Sequence, residues 1–287
     1  MLLFAADLAA MLMHPAVSSG ARCRKNNFDR LVSQQIGENM KSFALTDKGA
    51  VRSDNQDSFI IEKVVSKDST IFALCDGMGG AKAGGLASQI SNNAFVSYIY
   101  AKLTSRVNKP LDYKKILTEA CIEANGVSFE YSKFDEAYNG MGTTIVGGVI
   151  KGNGIGYIIN VGDSRAYHIS KRNDSITQIT KDHSLVEELL EFGAITKEQA
   201  RVHPQRNVIT RALGSEEIVE PDYYEVNLHS GDFLLLCSDG LSNIVSDLEM
   251  LEYSKEYPDP ELLCQSLMRK ALNRGARDNV TVLAVMK

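Results

Sequence analysis

Apolar residues follow strand spacing in some stretches of this chain and helical spacing in others. Short apolar runs at "SFALTD", "SFIIEKVV" and "TIFALCD" predict strands. Two stretches, about 81–102 and 111–134, carry apolar residues at helical spacing and predict helices. Four further strands are predicted in succession at "TTIVGGVI", "GIGYIINV", "SRAYHIS" and "SITQIT", with Gly and Asn turns typical of an antiparallel meander.

In the remaining part of the chain, predicted strands and helices follow one another in a less regular order. A polar, partly helical insertion at about 181–214 interrupts the strands, which resume at "DYYEVNL" and "DFLLLCSD". Helical segments follow, the clearest being "PELLCQSLMRKAL", and the last predicted strand is "NVTVLAVM". Because the strands occur in runs and the helices are grouped, the order predicts an α+β layered domain and not a doubly wound fold.

The first forty residues lack this organisation. Their opening apolar run is interrupted by Asp7, has no basic residue before it and is too short to span a bilayer, so it fits neither a signal peptide nor a membrane helix. We expect residues 1–40 to be an N-terminal extension outside the fold, with Met40 as a hypothetical natural start. Residues 41–287 are expected to form a single domain.

Composition narrows the class of protein. The 287 residues are 44% hydrophobic and carry a net charge of −5, which offers no overall basic field for nucleic acid or an acidic membrane. The five cysteines are scattered and form no C-x-x-C pair, so we expect a reducing, cytoplasmic environment with neither disulfides nor a thiolate zinc site.

Acidic residues stand at the ends of the predicted strands. Asp76 and Asp239 each follow an apolar run and precede glycine, and Asp163 follows another such run. Asp57 and Asp278 each come just before an apolar strand. Any one of these acids could be an ordinary turn residue, since Asp-Gly is a common turn pair.

Five such acids in one antiparallel core favour a second interpretation. If the strand ends meet, the carboxylates would repel one another strongly, and hard divalent cations would remove that repulsion. Oxygen ligands suit Mg²⁺ or Mn²⁺ better than zinc. Asp76 is therefore interpreted as a bridging metal ligand, although the spacing alone does not establish that the strand ends converge.

The ordered motifs extend this interpretation. The segments "TDKGAVRSDNQDSF", "LCDGMGG", "MGTTIVGGVI", "NVGDSRAY", "HPQRNVITRALG", "LLLCSDGLS" and "ARDNVTVLAV" resemble, in order, the metal-dependent protein phosphatases of the 2C type, particularly the compact bacterial serine/threonine phosphatases. The resemblance covers about residue 42 to the end. It implies a four-layer α-β-β-α sandwich of two antiparallel sheets flanked by helices, with residues 181–214 as a flap insertion.

The resemblance also implies a role for each acid. Asp76 would bridge two metal ions, and the carbonyl of Gly77 would also coordinate. Asp239 and Asp278 would complete one of these ions. Asp57 would hold metal-bound waters. Asp163, with Asp239, would support a third, weaker metal ion. Arg52 would bind the substrate phosphate. Thr143 and Thr144 would give structural support.

The implied reaction is direct hydrolysis of phosphoserine and phosphothreonine in proteins by a water that bridges two Mn²⁺ or Mg²⁺ ions, with no phosphoenzyme. The implied partners are phosphorylated proteins, among them a bacterial Ser/Thr kinase and its substrates, and we expect a monomer. Two alternatives stay open at this point. One is a phosphatase of small phosphate esters, and the other is an inactive metal-binding regulatory module.

Two positions depart from the eukaryotic pattern. Gln56 stands where those enzymes have a metal-binding glutamate, and Met78 stands where they have a histidine that is proposed as the general acid. The sequence therefore names no general acid. His183 and His203 lie in the insertion, and a surface or packing role is expected for both.

Overall fold

The strands of a computed structural model form two antiparallel sheets. The structure describes residues 29–36, 40–80, 83–105 and 110–287. The first sheet has the order β1-β2-β12-β11-β8-β9, and the second has the order β10-β7-β6-β4-β3 with β5 paired to β4. The strands are β1 (Arg30–Ile36), β2 (Met40–Asp47), β3 (Asp57–Val64), β4 (Ser69–Met78), β5 (Gly142–Thr143), β6 (Ile145–Lys151), β7 (Ile155–Val161), β8 (Arg165–Ser170), β9 (Ser175–Gln178), β10 (Asp222–Asn227), β11 (Phe233–Cys237) and β12 (Val280–Met286).

Seven α-helices accompany the sheets in the described ranges. They are α1 (Ala83–Thr104), α2 (Tyr113–Ser132), α3 (Leu185–Glu191), α4 (Lys197–Arg201), α5 (Asp239–Ser242), α6 (Asp247–Glu256) and α7 (Pro260–Asn273). The two long predicted helices are present with ends shifted by about two residues. Within the described ranges, none of the helices combines the length and apolar character needed to cross a membrane.

The layers are held together by three apolar cores. One core packs α1 and α2 on the second sheet, and another packs α6 and α7 on the first sheet. The third lies between the sheets, where Phe59 and Phe72 of the second sheet meet Leu234 and Leu283 of the first. The fold is therefore the expected α+β sandwich of two antiparallel sheets with helices on both outer faces.

The strands predicted as one continuous meander belong to two sheets. β6 and β7 form a hairpin in the second sheet, whereas β8 and β9 form a hairpin in the first. The chain crosses between the sheets at 162–164, where Gly162 has a φ of 106°, a value that glycine adopts without strain. This crossing places Asp163 at one rim of the sandwich.

The expectation that residues 1–40 lie outside the fold is wrong for residues 30–36. These residues form β1, which pairs with β2 over its whole length. Leu31 is only 6% exposed and joins the core beneath α7, and the Arg30 guanidinium lies 5.1 Å from the centre of the Phe59 ring. The remaining part of the predicted extension, residues 1–28, lies outside the described residues.

Removal of β1 should destabilise the protein. A chain that starts at Met40 loses the outer strand of the first sheet and the buried Leu31, so its free energy of unfolding should fall by about 2 kcal/mol or more relative to a chain that starts at Asp29. Urea unfolding of the two truncated chains measures the difference. Equal midpoints would show that β1 contributes nothing to stability.

Candidate metal centre

The turn after Asp76 explains why glycine follows this acid. β4 is buried from Ser69 to Cys75 and carries Asp76 close to its end. A Cβ at Gly77 would lie 2.1 Å from the carbonyl oxygen of Gly84 in the first turn of α1. Any larger residue would therefore push α1 away from the strand, and glycine is needed to place Asp76 beside the helix.

Asp57 lies opposite Asp76 in the register of β3 and β4 and is 8% exposed. Its Oδ2 accepts hydrogen bonds from Ser238 Oγ at 2.8 Å and Thr281 Oγ1 at 2.6 Å. Burial raises the pKa of Asp57 to about 6, although both hydrogen bonds oppose this shift. Because Ser238 and Thr281 belong to the side of the first sheet, Asp57 links the two sheets beneath the rim.

The other oxygen of Asp57 fits a bound cation or a water held by one. Oδ1 is buried and has no hydrogen-bond partner within the described residues. An unpaired carboxylate oxygen in such a place is costly unless a positive charge or an ordered water meets it. The neighbouring acids supply only oxygen donors, which Mg²⁺ and Mn²⁺ prefer. The donor set therefore fits a hard divalent cation.

The structure brings the five predicted acids to the same rim. Asp163 follows β7, Asp239 begins α5, and Asp278 precedes β12. Burial raises the pKa of Asp76 well above its usual value, and the negative charges of its four neighbours add to the effect. Burial, followed by the nearby negative charges, raises the pKa of Asp239 to about 8 and that of Asp163 to about 6.

This gathering is not a preformed cage. Within the described ranges, no group of three or more His, Cys, Asp or Glu side chains is already arranged to hold a metal ion. The acids are nevertheless close enough that nearby negative charges help to raise the pKa of Asp57, Asp76, Asp163 and Asp239. A cation that entered the cluster would relieve this repulsion and draw the carboxylates together.

Arg52 lies at the edge of the cluster. Its Nη2 donates to Asp278 Oδ2 at 2.8 Å, and 53% of its side chain is exposed. This hydrogen bond, followed by the charge of Asp278, raises the pKa of Arg52, so the guanidinium keeps its charge. The arginine is therefore the nearest fixed positive charge to the acids among the predicted site residues.

Asn279 fixes the loop that carries Arg52, although it is not among the residues predicted from the sequence. Its Nδ2 donates to the carbonyls of Lys48 and Asp54 at 2.9 and 3.0 Å, and its Oδ1 accepts from the backbone N–H of Gln56 at 2.9 Å. Its side chain thus binds the loop at three points. Since Asn279 follows Asp278 directly, it sets the position of this acid relative to Arg52.

Two threonines hold the backbone of Asp76. Thr143 Oγ1 donates to the carbonyl of Asp76 at 2.9 Å, and the backbone N–H of Asp76 donates to Thr144 Oγ1 at 3.0 Å. Thr144 Oγ1 also shares a hydrogen bond of 2.8 Å with Ser164 Oγ, next to Asp163. Both threonines are therefore in supporting positions, and Thr144 connects the segments of two acids.

His183 has a more specific position than the expected surface or packing role. Its Nδ1 accepts from the backbone N–H of Gly162 at 3.1 Å, so the ring proton lies on Nε2, which is 3.3 Å from Asp222 Oδ2. Burial lowers the pKa of His183 and favours this neutral form, although Asp222 opposes the shift. His183 thereby holds the crossing that presents Asp163.

The two departures from the eukaryotic pattern are structural in character. Gln56 Nε2 donates to the carbonyl of Gly80 at 3.3 Å. Met78 packs against Gly142, where an added Cβ would lie 2.6 Å from its Cε. His203 accepts a hydrogen bond from a backbone N–H two residues later, in an exposed turn. Neither Gln56 nor Met78 can supply a proton to a leaving group.

Comparison with known proteins gives a consistent result. Residues 42–280 match the sequence profile of the family described as "Protein phosphatase 2C". The chain is 38% identical over 240 residues to serine/threonine phosphatase stp of Listeria innocua, and the aligned region covers 84% of this chain and 93% of that protein. Its fold is similar to Stp1 of Staphylococcus aureus, with a TM-score of 0.79 and 34% identity over 88% of this chain and 97% of that one. It is also similar to the PstP catalytic domain in complex with two manganese ions, with a TM-score of 0.73 and 33% identity over 86% of this chain and 97% of that one.

Without divalent cations, the protein should lose stability as the pH rises from about 4 to 8. Folded Asp57, Asp163 and Asp239 keep their protons up to pKa values of about 6, 6 and 8, whereas an unfolded aspartate loses its proton near 3.8. The stability that these three aspartates contribute is therefore fully present at a pH below the pKa of the unfolded aspartates. It is lost as the pH rises past their pKa values in the folded protein.

Thermal unfolding in metal-free buffer across this pH range measures the loss. Mn²⁺ should raise the midpoint more at pH 8 than at pH 5, because it binds the ionised carboxylates. Asp239→Asn should flatten the decline in metal-free buffer. A midpoint that rose steadily with pH in wild type would contradict the raised pKa values of the cluster.

His183→Leu should destabilise the protein by about 1–3 kcal/mol, because it leaves the buried N–H of Gly162 without an acceptor. The variant should also need more Mn²⁺ for half-maximal stabilisation, since the segment of Asp163 loses one of the hydrogen bonds that hold it. His183→Asn, whose side-chain oxygen can accept from Gly162, should recover part of both losses. Urea unfolding and Mn²⁺ titration of the midpoint provide the readouts. His203→Leu is the matched control, and equal effects of the two leucine substitutions would exclude a special role for His183.

Proposed function

This chain belongs to the protein phosphatase 2C family, a family of metal-dependent serine/threonine phosphatases, and we propose that it hydrolyses phosphoserine and phosphothreonine in proteins. The observation that carries the proposal is the rim of five buried or half-buried carboxylates beside one arginine, where burial and the nearby negative charges raise the pKa of Asp57, Asp76, Asp163 and Asp239. Bound cations would neutralise the repulsion among these carboxylates. Cations and an arginine together can bind the negatively charged oxygens of a phosphate ester.

Three acids would hold the principal pair of Mn²⁺ or Mg²⁺ ions. Asp76 would contact both ions, and the carbonyl of Gly77 would provide a further oxygen ligand. Asp239 and Asp278 would complete one of the ions. Asp57 would hold their bound waters through its unpaired Oδ1. Asp163, which lies next to Asp239 in the cluster, would support a third ion. The pKa shifts and the orphaned oxygen support this assignment.

Bound divalent ions would make water more acidic and offset negative charge on the phosphate. Arg52 would bind two phosphate oxygens with its planar set of N–H donors. Its hydrogen bond to Asp278 keeps it at the rim and orients it before substrate arrives. The exposed part of its side chain gives the phosphate access to the guanidinium.

The buried thiols support direct hydrolysis in preference to a cysteine phosphoenzyme. Cys75 immediately precedes Asp76, but burial raises its pKa well above the usual value and keeps it as a neutral thiol. Burial also raises the pKa of Cys121 and of Cys237 to about 12. None of these thiols is therefore a thiolate nucleophile near neutral pH.

The proposed physiological role is to oppose a bacterial Ser/Thr kinase as a cytoplasmic monomer. Residues 41–287 would form a single catalytic domain, to which β1 adds the outer strand of one sheet. Residues 181–214, with α3 and α4, would form a flap that helps to select phosphoprotein substrates. The cores on both sheets and between them support the single-domain assignment.

Phosphate release from a phosphothreonine peptide tests the proposal. We expect Mn²⁺-dependent release by wild type and a fall of about 10²-fold or more for Asp239→Asn, because the variant loses a metal carboxylate. Asp135→Asn is the matched control, since asparagine also caps the short helical turn that Asp135 begins. Thermal unfolding of both variants separates a chemical effect from a folding defect.

Three results would contradict the proposal. The first is turnover without divalent ions, and the second is full activity of Asp239→Asn. The third is turnover of small phosphate esters with no release from phosphopeptides, which would favour the small-ester phosphatase.

A further inference from the structure

A cleft opens from the carboxylate rim toward the flap. It has a volume of about 810 Å³, and its lining includes Asp163 and Asp239 of the rim, α3 and α4 on one side, and residues 242–249 on the other. This size is within the range of protein ligand pockets. We call it the flap cleft. A protein segment that places a phosphorylated side chain at the rim can extend its neighbouring residues into this cleft.

The short helix α4 presents positive charge to the flap cleft. Lys197, Ala200 and Arg201 all line the cleft, and their spacing places them on one face of the helix. A capping box of Thr196 and Gln199 fixes the start of α4. The helix therefore holds two cations in a defined orientation toward the cleft.

These two cations are available to a ligand. Within the described ranges, neither Lys197 nor Arg201 is part of an ion pair, although both lie near Glu198 of the same helix, whose pKa they help to lower. Both side chains are exposed. Arg206, a third exposed cation, lines the same cleft and is likewise without an ion pair there.

Most other charges of the cleft are already neutralised. Asp182 accepts a bifurcated hydrogen bond from the Nε–H of Arg165 and another from its Nη2. Glu191 pairs with Lys181, and Glu249 is held by Arg274 and Lys270. Besides Asp163 and Asp239 of the rim, two acids of the cleft make no ion pair in the described structure, namely Glu187 and Asp247. Burial raises the pKa of Glu187 and so opposes its ionisation. The unmatched charge of the flap side is therefore positive.

We propose that the Lys197–Arg201 face of α4 binds acidic side chains next to the phosphorylated residue, so that the enzyme prefers phosphorylated segments rich in Asp and Glu. This inference rests on the proposed phosphatase function and adds the substrate class to it. A basic segment would bring its charges against three unpaired cations, whereas an acidic segment would complete them. The preference comes from α4 and does not depend on the carboxylate rim.

Two phosphothreonine peptides of equal length, with either Glu or Gln around the phosphorylated residue, test the inference. Wild type with Mn²⁺ should show a kcat/KM about three- to tenfold higher for the Glu peptide at low ionic strength, the size expected of two exposed ion pairs. The advantage should disappear at about 1 M salt, where the screening length falls to about 3 Å. Lys197→Glu/Arg201→Glu should remove or reverse it, and Lys197→Gln/Arg201→Gln should give an intermediate ratio.

The matched control is Lys67→Glu/Arg172→Glu, which makes the same change in net charge. Both control residues are exposed and lie at the end of the sheets opposite the carboxylate rim, Lys67 in the short 3-10 helix between β3 and β4 and Arg172 in the turn between β8 and β9. The control should keep the wild-type ratio. Thermal unfolding of both double variants shows whether α4 and the sheets remain folded.

The ratio and the absolute rates answer different questions. Turnover of the Gln peptide by wild type tests the phosphatase function, and the ratio of the two peptides tests the role of α4. Equal kcat/KM values for the two peptides in wild type would overturn the inference, as would faster turnover of the Gln peptide. An unchanged ratio in Lys197→Glu/Arg201→Glu, or an equal loss in the control, would overturn it as well.

Discussion

Repulsion among carboxylates at one rim of the sandwich is the constraint on which the candidate site depends. Five aspartates are close enough that the pKa values of Asp57, Asp76, Asp163 and Asp239 all rise in the folded protein. Their gathering is unfavourable in itself at neutral pH. It persists because the buried strands that carry these acids are fixed by the apolar cores, which outweigh the local cost. Divalent cations that bind the carboxylates relieve this repulsion, and the relief adds to the affinity of the site for the cations.

Asp57 shows how the sandwich and the site support each other. It belongs to β3 of the second sheet, but its Oδ2 accepts hydrogen bonds from residues that flank or belong to strands of the first sheet. Relative movement of the sheets would break these bonds and would also change the distance between Asp57 and the acids of the first sheet. The geometry of the site therefore depends on the alignment of the two sheets, and the tight packing between the sheets preserves that geometry.

The parts that could be predicted from the sequence are those that a local pattern determines. An apolar run that ends in Asp-Gly identifies Asp76 and Asp239, because burial and the turn are both local properties. Their convergence depends on strand order and on the crossing at Gly162, which no spacing of apolar residues contains. For this reason the prediction of one continuous antiparallel meander was wrong, since its strands belong to two sheets. β1 was missed because its mostly polar neighbourhood shows no clear apolar period, and the strand is held by pairing with β2 and by the burial of Leu31.

The missed supporting residues follow the same rule. Asn279 stands between an acid and an apolar strand, and a buried asparagine in that place signals backbone contacts. Its three partners, however, lie more than two hundred positions away in the chain. His183 was assigned a surface or packing role because it lies in a polar insertion, yet its contact with Gly162 spans the base of the flap. Long-range hydrogen bonds of this kind are determined by tertiary structure and leave little local trace.

Chemistry and substrate choice are carried by different kinds of structure in this fold. The acids and Arg52 are attached to strand ends or to loops that buried side chains hold, so substitutions there also affect packing. Lys197 and Arg201 are exposed, belong to a five-residue helix, and are oriented by a local capping box. Their charges can change without disturbing the apolar cores or the rim. Substrate preference can therefore vary on the flap while the metal centre stays fixed by the sheets.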